Sequence, residues 1–481
     1  MKKWLLFIAL CLTACSRDNS IDMTMDEAVR LFPDYTDITV PYNIAPLNFS
    51  VSPEQGEVRF AVLEVDGESW QVEASDGQIA FPVKKWREWM ERAKGKTVKV
   101  TVVCRKEGQN VAYRPYSLSV AEEPIDRYVA YRLIEPGYEV WNQMGIYQRD
   151  LESFEQTPII ENKITENNCV NCHSFCNRNP EQYVFHMRAS LGGTVLKEGD
   201  GLEFLDTKTK QTLSSFTYPY WHPSGRFIAF SINKTTQGFH PTQRVEVYDM
   251  ASDVIVYDVK NRTVLASPLT GSVQSFETFP SFSSDGKRLY FCSAPAKEMP
   301  DSIPELRYNL CSISFDAESG TLGNRVDTLF YADREGRSFS FPRVSPDGRF
   351  LMGTVSAYGT FPIWHKDADL CLIDLNEKKE VSLARLNSPD TESYHAWSSN
   401  GRWVVFSSRR LDGLYTRLFF AYVSDSGEAG KPFLLPLSHV SENAACMKSF
   451  NIPEFVTGEV KNESRTIRKL AERGAIGVSV K

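Results

Sequence analysis

The sequence predicts an all-β chain: a β-propeller with six blades, a small β-sandwich before it and a short helix near the C-terminus. Three observations carry this reading. A repeat of one strand–turn–strand unit runs through the second half of the chain. Period-two alternation broken by Gly/Asp/Ser turns fills most of the segment ahead of it. The 481 residues also exceed what one hydrophobic core supports, so more than one domain is expected.

The first element is "MKKWLLFIALCLTAC": two lysines, an apolar run from Trp4 to Leu12 and a small-residue site. This is the pattern of a secretory signal, and the run is too short to span a membrane. Its end, Leu12-Thr13-Ala14-Cys15, resembles the bacterial lipobox. The resemblance implies removal of residues 1–14, lipid on the thiol and new amino group of Cys15, and anchorage in the cell envelope. Ser16 at the next position favours the outer membrane. The plainer alternative is an ordinary signal peptide with a cysteine at its cleavage site. Residues 15–36 read as a tether and one short helix, "MDEAVRLFPDY", stopped at Pro33. No second apolar run of about 18 residues follows, so no transmembrane helix is expected.

Residues 37–125 carry strands such as "VRFAVLEV" and "TVKVTVVCRK", with "VKKWREWMERAKG" as a helix between two of them. A sandwich of immunoglobulin or fibronectin type is the expectation, although no Cys…Trp…Cys core signature is present.

The repeat sets the rest. "PYWHPSGRFIAFS", "PSFSSDGKRLYFC", "PRVSPDGRFLMGT" and "HAWSSNGRWVVFS" align on Gly225, Gly286, Gly348 and Gly401. Each is an apolar strand, a Ser/Asp/Asn-Gly turn and a β-branched or aromatic strand. A sheet of that kind cannot bury both faces alone, so several pack about an axis. "EQYVFHMR" and "LEFLDTK" mark a fifth blade, and "YVAYRLIEPGYEVWNQMGIYQRDL" supplies a sixth, with five or seven as alternatives. The propeller is placed at 126–440, and 441–481 is left as a tail containing the helix "SRTIRKLAERG".

"W-x-P-S-G-R-F-I-A-F-S" and "V-S-P-D-G-R-F" resemble the WD40-like repeat of TolB-type propellers, over Tyr128 to Pro436. Together with the lipobox and a "CxNCHSF" segment they resemble bacterial TolB-like lipoproteins, some of them cytochrome-related. That resemblance implies the fold and leaves the activity open.

Cys169-Val170-Asn171-Cys172-His173 has the spacing of a c-type haem attachment site. Two thiols three residues apart reach the two vinyl groups of one porphyrin, and the next residue supplies the proximal imidazole. With ten Cys and seven His in the chain, a chance match has a probability of roughly 0.3%. A disulfide, an unloaded haem motif, and zinc held by Cys169, Cys172, His173 and Cys176 compete with this reading. Zinc is weakened because adjacent Cys172 and His173 do not readily face one tetrahedral ion. In the repeat, Pro219, Pro280 and Pro342 align with His395. His395 is therefore the candidate distal ligand, against a hydrogen-bonded histidine in a packed ring. His186, Met187, His222 and His240 are weaker candidates. Cys292 and Cys311 lie in neighbouring strands and either pair or stay as buried thiols.

The balance of 54 Lys and Arg against 61 Asp and Glu, spread along the chain, excludes a basic nucleic-acid footprint. No P-loop, G-x-S-x-G or H-E-x-x-H pattern occurs. The sequence thus points to one haem c, electron transfer or ligand binding at iron, and an envelope or redox partner. The alternative is a propeller scaffold for a protein or glycan, with the motif structural.

Overall fold

In the computed structural model, residues 20–136, 143–210 and 212–480 are described. The leader and Cys15 fall outside them. Six sheets, four of four strands and two of five, ring one axis. Their inner strands are Ser449–Val456 in blade 1, Val170–Phe175 in blade 2, Thr217–Trp221 in blade 3, Ser275–Phe282 in blade 4, Ser338–Val344 in blade 5 and Glu392–Trp397 in blade 6. Each touches the next, and the sixth touches the first, so the ring is closed.

Blade 1 corrects the boundary drawn from sequence. "YVAYRLI…" supplies its Tyr128–Ile134, Gly145–Asp150 and Gln156–Glu161 strands, but the inner strand comes from Ser449–Val456, paired antiparallel with Tyr128–Ile134. The tail therefore completes the propeller. Strand Ser449–Val456 lacks the Ser/Asp-Gly turn of the other repeats because nothing follows it in its own blade.

The alternation in each strand buries both faces of a blade. In blade 4, Leu289, Phe291, Cys311 and Ile313 pack on Phe227, Ala229 and Val256 of blade 3. Tyr290, Cys292 and Leu310 pack on Phe339, Leu351 and Cys371 of blade 5. Cys292 pairs in register with Leu310, and Cys311 with Phe291. One residue of offset puts the two thiols on opposite faces, and both are free. The turn glycines take φ of +70° to +75°, a left-handed conformation that favours glycine.

The N-terminal domain is a ten-stranded sheet, with eight strands on one hydrogen-bonded path and two branching from it. Helix α1, Val83–Ala93, lays Trp86, Trp89, Met90 and Ala93 against it, the i, i+3, i+4 spacing of an amphipathic face. The short helix expected around Met25 is a strand instead: Met23–Ala28 pairs in parallel with Gln109–Arg114. An available sheet edge overrides the local helical pattern. The domain docks on blade 6, where Trp403 Nε1 donates to the Glu123 carbonyl (3.2 Å) and Ser399 N to Asp126 Oδ2 (2.7 Å).

Helix α2, Ser464–Arg473, ends at Gly474 and buries Ile467 and Ala471 in the core shared by blades 1 and 2. Ile476–Gly477 and Ser479–Val480 then cover the outer edges of blades 2 and 3, edges that otherwise expose unpaired backbone groups. Among the described residues, no helix is long and apolar enough to cross a membrane.

Candidate functional site on the propeller axis

Each blade has one bulge in the pairing of its inner strand. At each bulge a non-glycine residue takes positive φ: Cys172 (+54°), Tyr218 (+47°), Phe279 (+52°), Phe341 (+52°), Tyr394 (+47°) and Ile452 (+53°). Left-handed backbone costs about 1–2 kcal/mol per such residue, so packing must hold it in place. The packing is a ring around the axis. Ring centroids are 4.9 Å apart for Tyr218–Phe279, 4.2 Å for Phe279–Phe341 and 4.8 Å for Phe341–Tyr394. Phe361 caps it, 5.7 Å from Tyr218 and 5.5 Å from Phe279. Cys172 is the blade 2 member of this upper ring.

The haem-type motif thus starts the inner strand of blade 2. Cys169, Cys172 and His173 are only 5%, 2% and 3% exposed. Both thiols are unpaired. Arg188 interacts with both of them and with Tyr218 and Asp249, and Arg132 Nη1 donates to Asn171 Oδ1 at 2.5 Å. Burial raises the Cys169 thiol against the opposing charges of Arg188 and Arg132. Burial, helped by Arg132, pushes His173 down to about 3, so its imidazole is neutral at pH 7. The Ile452 carbonyl lies nearby, but neither ring nitrogen has a well-formed hydrogen bond. Unpaired thiols and a neutral, unpartnered imidazole are the donors a haem c requires. The residue types are those of a haem c attachment site, but the three side chains stand in a closely packed enclosure.

His395 occupies in blade 6 the position His173 occupies in blade 2, directly after the bulge. The other four blades have Pro219, Pro280, Pro342 and Pro453 there. The His395 Nε2–H donates to the Met352 carbonyl of blade 5 at 3.0 Å, and burial pushes it down to about 3. Blade 1, with Ile452 and Pro453, stands between the two histidines. His395 is placed as a hydrogen-bonded member of the packed ring.

The remaining candidates have other partners. His186 Nδ1 meets Thr194 Oγ1 (3.2 Å), and Met187 is in the core between blades 1 and 2. His222 bridges Ser224 Oγ (2.8 Å) and the Gly286 carbonyl (3.1 Å), tying two blade turns together. His240 lies on the outer hairpin of blade 3 and bonds Thr242. Cys176 is held up near 12 by burial beside His222. Among the described residues, no three His, Cys, Asp or Glu side chains gather as a metal site, which removes the zinc set with Cys176.

Two residues past each bulge lies a second, lower ring: Ser174, Tyr220, Ser281, Arg343, Ala396 and Glu454. Its members are polar or small, and between Arg343 and Glu454 stands Ala396, the smallest. A cavity of about 80 Å³ opens there, lined by Arg178, Tyr220, Trp221, Arg343, Trp397 and Glu454 among others. Burial lifts Glu454 to about 7 against the pull of the Phe175 N–H, Arg343 and Arg178. Sequence reading missed this site. Four of its six ring positions sit one residue after the aligned Pro/His column, where Tyr220, Ser281, Arg343 and Ala396 differ in a repeat that otherwise agrees. That variation was the available signal.

No protein-family model and no curated relative matches the chain. Solved structures match remotely. A Mycobacterium tuberculosis puromycin-hydrolysing peptidase is 14% identical over 82% of this chain and 57% of its own, with a TM-score of 0.37. A Pseudomonas aeruginosa periplasmic gluconolactonase is 15% identical over 64% and 96%, with a TM-score of 0.36. Prolyl oligopeptidase B from Galerina marginata is 8% identical over 78% and 52%, with a TM-score of 0.35. The chain thus spans little more than half of the two peptidases, and likenesses this remote assign it no activity.

Proposed function

We propose that this chain is a lipid-anchored cell-envelope protein whose propeller carries one haem c, for electron transfer or for binding a small ligand at iron. Cys169 and Cys172 would hold the porphyrin and His173 the iron; Cys15 would carry the lipid anchor. The observation that supports it most is His173: a neutral, buried imidazole beside the Ile452 carbonyl, with no well-formed hydrogen bond at either nitrogen, in a segment with two unpaired thiols. A buried polar group without a partner costs about 1–3 kcal/mol, and an iron ligand role accounts for leaving it so. Bound haem would supply a one-electron couple. The chain's own part is to hold the imidazole neutral and to set Arg188 and Arg132 beside the thiols. His395, bonded to Met352, is not retained as a distal ligand in this proposal.

The test is a pyridine haemochrome spectrum and an intact mass on protein from a host with active cytochrome c maturation. One added haem, lost in Cys172→Ala, is the expected result; wild-type protein without haem mass would sink the reading.

A second reading is favoured by one observation. Cys172 is the exact counterpart in the repeat of five residues that pack the axis, so the motif also works as an ordinary inner strand. On this reading the propeller is a scaffold for a protein or glycan partner. Cys172→Ala would then leave the function of the protein in its host intact.

A further inference from the structure

The lower end of the axis has the features of a binding site that the haem reading does not use. Arg343 and Glu454 flank Ala396 on adjoining positions of the lower ring, and the cavity lies over the alanine. Arg343 donates one hydrogen bond, to the Pro342 carbonyl (2.8 Å), and lies over the Tyr220 ring at 4.9 Å. Glu454 Oε2 accepts from the Phe175 N–H at 2.8 Å. Among the described ion pairs, none includes Arg343, Arg178 or Glu454. Two guanidiniums and one carboxylate thus border one small space without pairing with each other.

Arg178 is held over this space by a strained turn. Asn177 (φ +48°) and Arg178 (φ +62°) are consecutive left-handed non-glycine residues, a conformation that persists only where surroundings enforce it. Asn177 Nδ2 donates to the Pro223 carbonyl (2.8 Å), Thr457 N to the Arg178 carbonyl (3.0 Å), and Arg178 Nε to the Trp397 carbonyl (2.8 Å). These bonds pin the backbone and one edge of the guanidinium, and among the described residues its two terminal nitrogens make no hydrogen bond. A second cavity of about 120 Å³ adjoins, sharing Asn177, Arg178, Tyr220, Trp221 and Val344.

We propose that this lower mouth binds a small carboxylic acid carrying a second polar group, of the amino-acid or hydroxy-acid type. The carboxylate meets the forks of Arg178 and Arg343, whose geometry suits it. The amino or hydroxyl group meets Glu454. At about 10–15 Å³ per water-sized group, the 80 Å³ cavity has room for roughly five to eight such groups, the size of alanine or lactate. Ala396 creates the room; a larger side chain there would fill it.

Trp221 and Trp397 line the cavity, so tryptophan fluorescence reports occupancy in the full chain. Titration with alanine, lactate and alaninamide, repeated by calorimetry, is the test. The two acids should saturate the signal and alaninamide should not. Arg343→Gln and Arg178→Gln should each weaken acid binding at least about tenfold, and Ala396→Phe should abolish it. Arg178 sits at the half-buried rim, so Arg178→Gln keeps the test decisive should Ala396→Phe misfold. The proposal fails if neither acid binds below about 10 mM, if alaninamide binds equally well, or if Arg178→Gln and Arg343→Gln bind as wild type. None of these outcomes depends on whether the protein carries haem.

Discussion

The two ends of the propeller axis are built by the same six strands, two residues apart, yet they are chemically opposite. The upper ring is an aromatic plug with one thiol, sealed by Phe361. The lower ring is polar, with Arg343 and Glu454 on either side of an alanine and space between them. The bulge fixes the backbone at both levels, so side-chain identity alone decides which end is sealed and which is open. The repeat thus specifies the architecture, and its departures from itself specify the sites.

The largest expected effect is on the plug. Phe279 touches Tyr218, Phe341 and Phe361 and is almost fully buried. Phe279→Ala should cost about 3–5 kcal/mol in denaturant unfolding. A loss as small as that of a surface substitution would mean the upper ring does not hold the blades together.

Next comes acid. The three imidazoles His173, His186 and His395 are each pushed down to about 3 by burial. The unfolded chain takes up these protons below about 6.5, while the folded chain resists until about 3. Each group therefore favours folding above about 6.5 and withdraws that support as pH falls toward 3, by about 1.4 kcal/mol per pH unit. Glu277 and Glu454, lifted to about 7, act in the opposite sense: they bind protons more tightly when folded, so stability falls as pH rises from about 4.5 to 7. The two sets oppose each other between about 4.5 and 6.5, with Asp249, lifted to about 6, on the carboxyl side down to about 4; below that the histidines are joined by carboxylates held low in the fold, among them Asp34 and Asp258. Stability measured against pH should fall most steeply between about 4.5 and 3, and His186→Gln should flatten that limb.

The two histidines of the ring sharpen the comparison further. His395 satisfies the Met352 carbonyl, whereas His173 makes no well-formed hydrogen bond. His395→Leu should cost about 1–3 kcal/mol by orphaning that carbonyl. His173→Leu should change stability by less than about 1 kcal/mol in haem-free protein. Equal losses would show that His173 is a structural residue like its counterpart. The smallest effect is expected at the lower mouth, where Arg178→Gln on the half-buried rim should alter stability by less than about 1 kcal/mol.

The propeller was legible because its turn glycines and alternating strands recur, and so was the placement of the motif at the start of an inner strand. Three features were not. The closing strand Ser449–Val456 lacks the turn that marks its neighbours. Met23–Ala28 has a helical pattern but meets a sheet edge. The lower site draws Arg178, Arg343 and Glu454 from blades 2, 5 and 1, so only the closed ring brings them together. His395 illustrates a related limit: its departure from the proline column marks a special position, but the carbonyl it serves belongs to another blade and cannot be read from sequence.

The most direct test of the central claim is the covalent state of the thiols. Mature protein from a host with active cytochrome c maturation should show one haem by intact mass and haemochrome absorbance, both absent in Cys172→Ala. Wild-type protein carrying no haem, with free thiols at Cys169 and Cys172, would contradict the account and leave the motif as a structural strand.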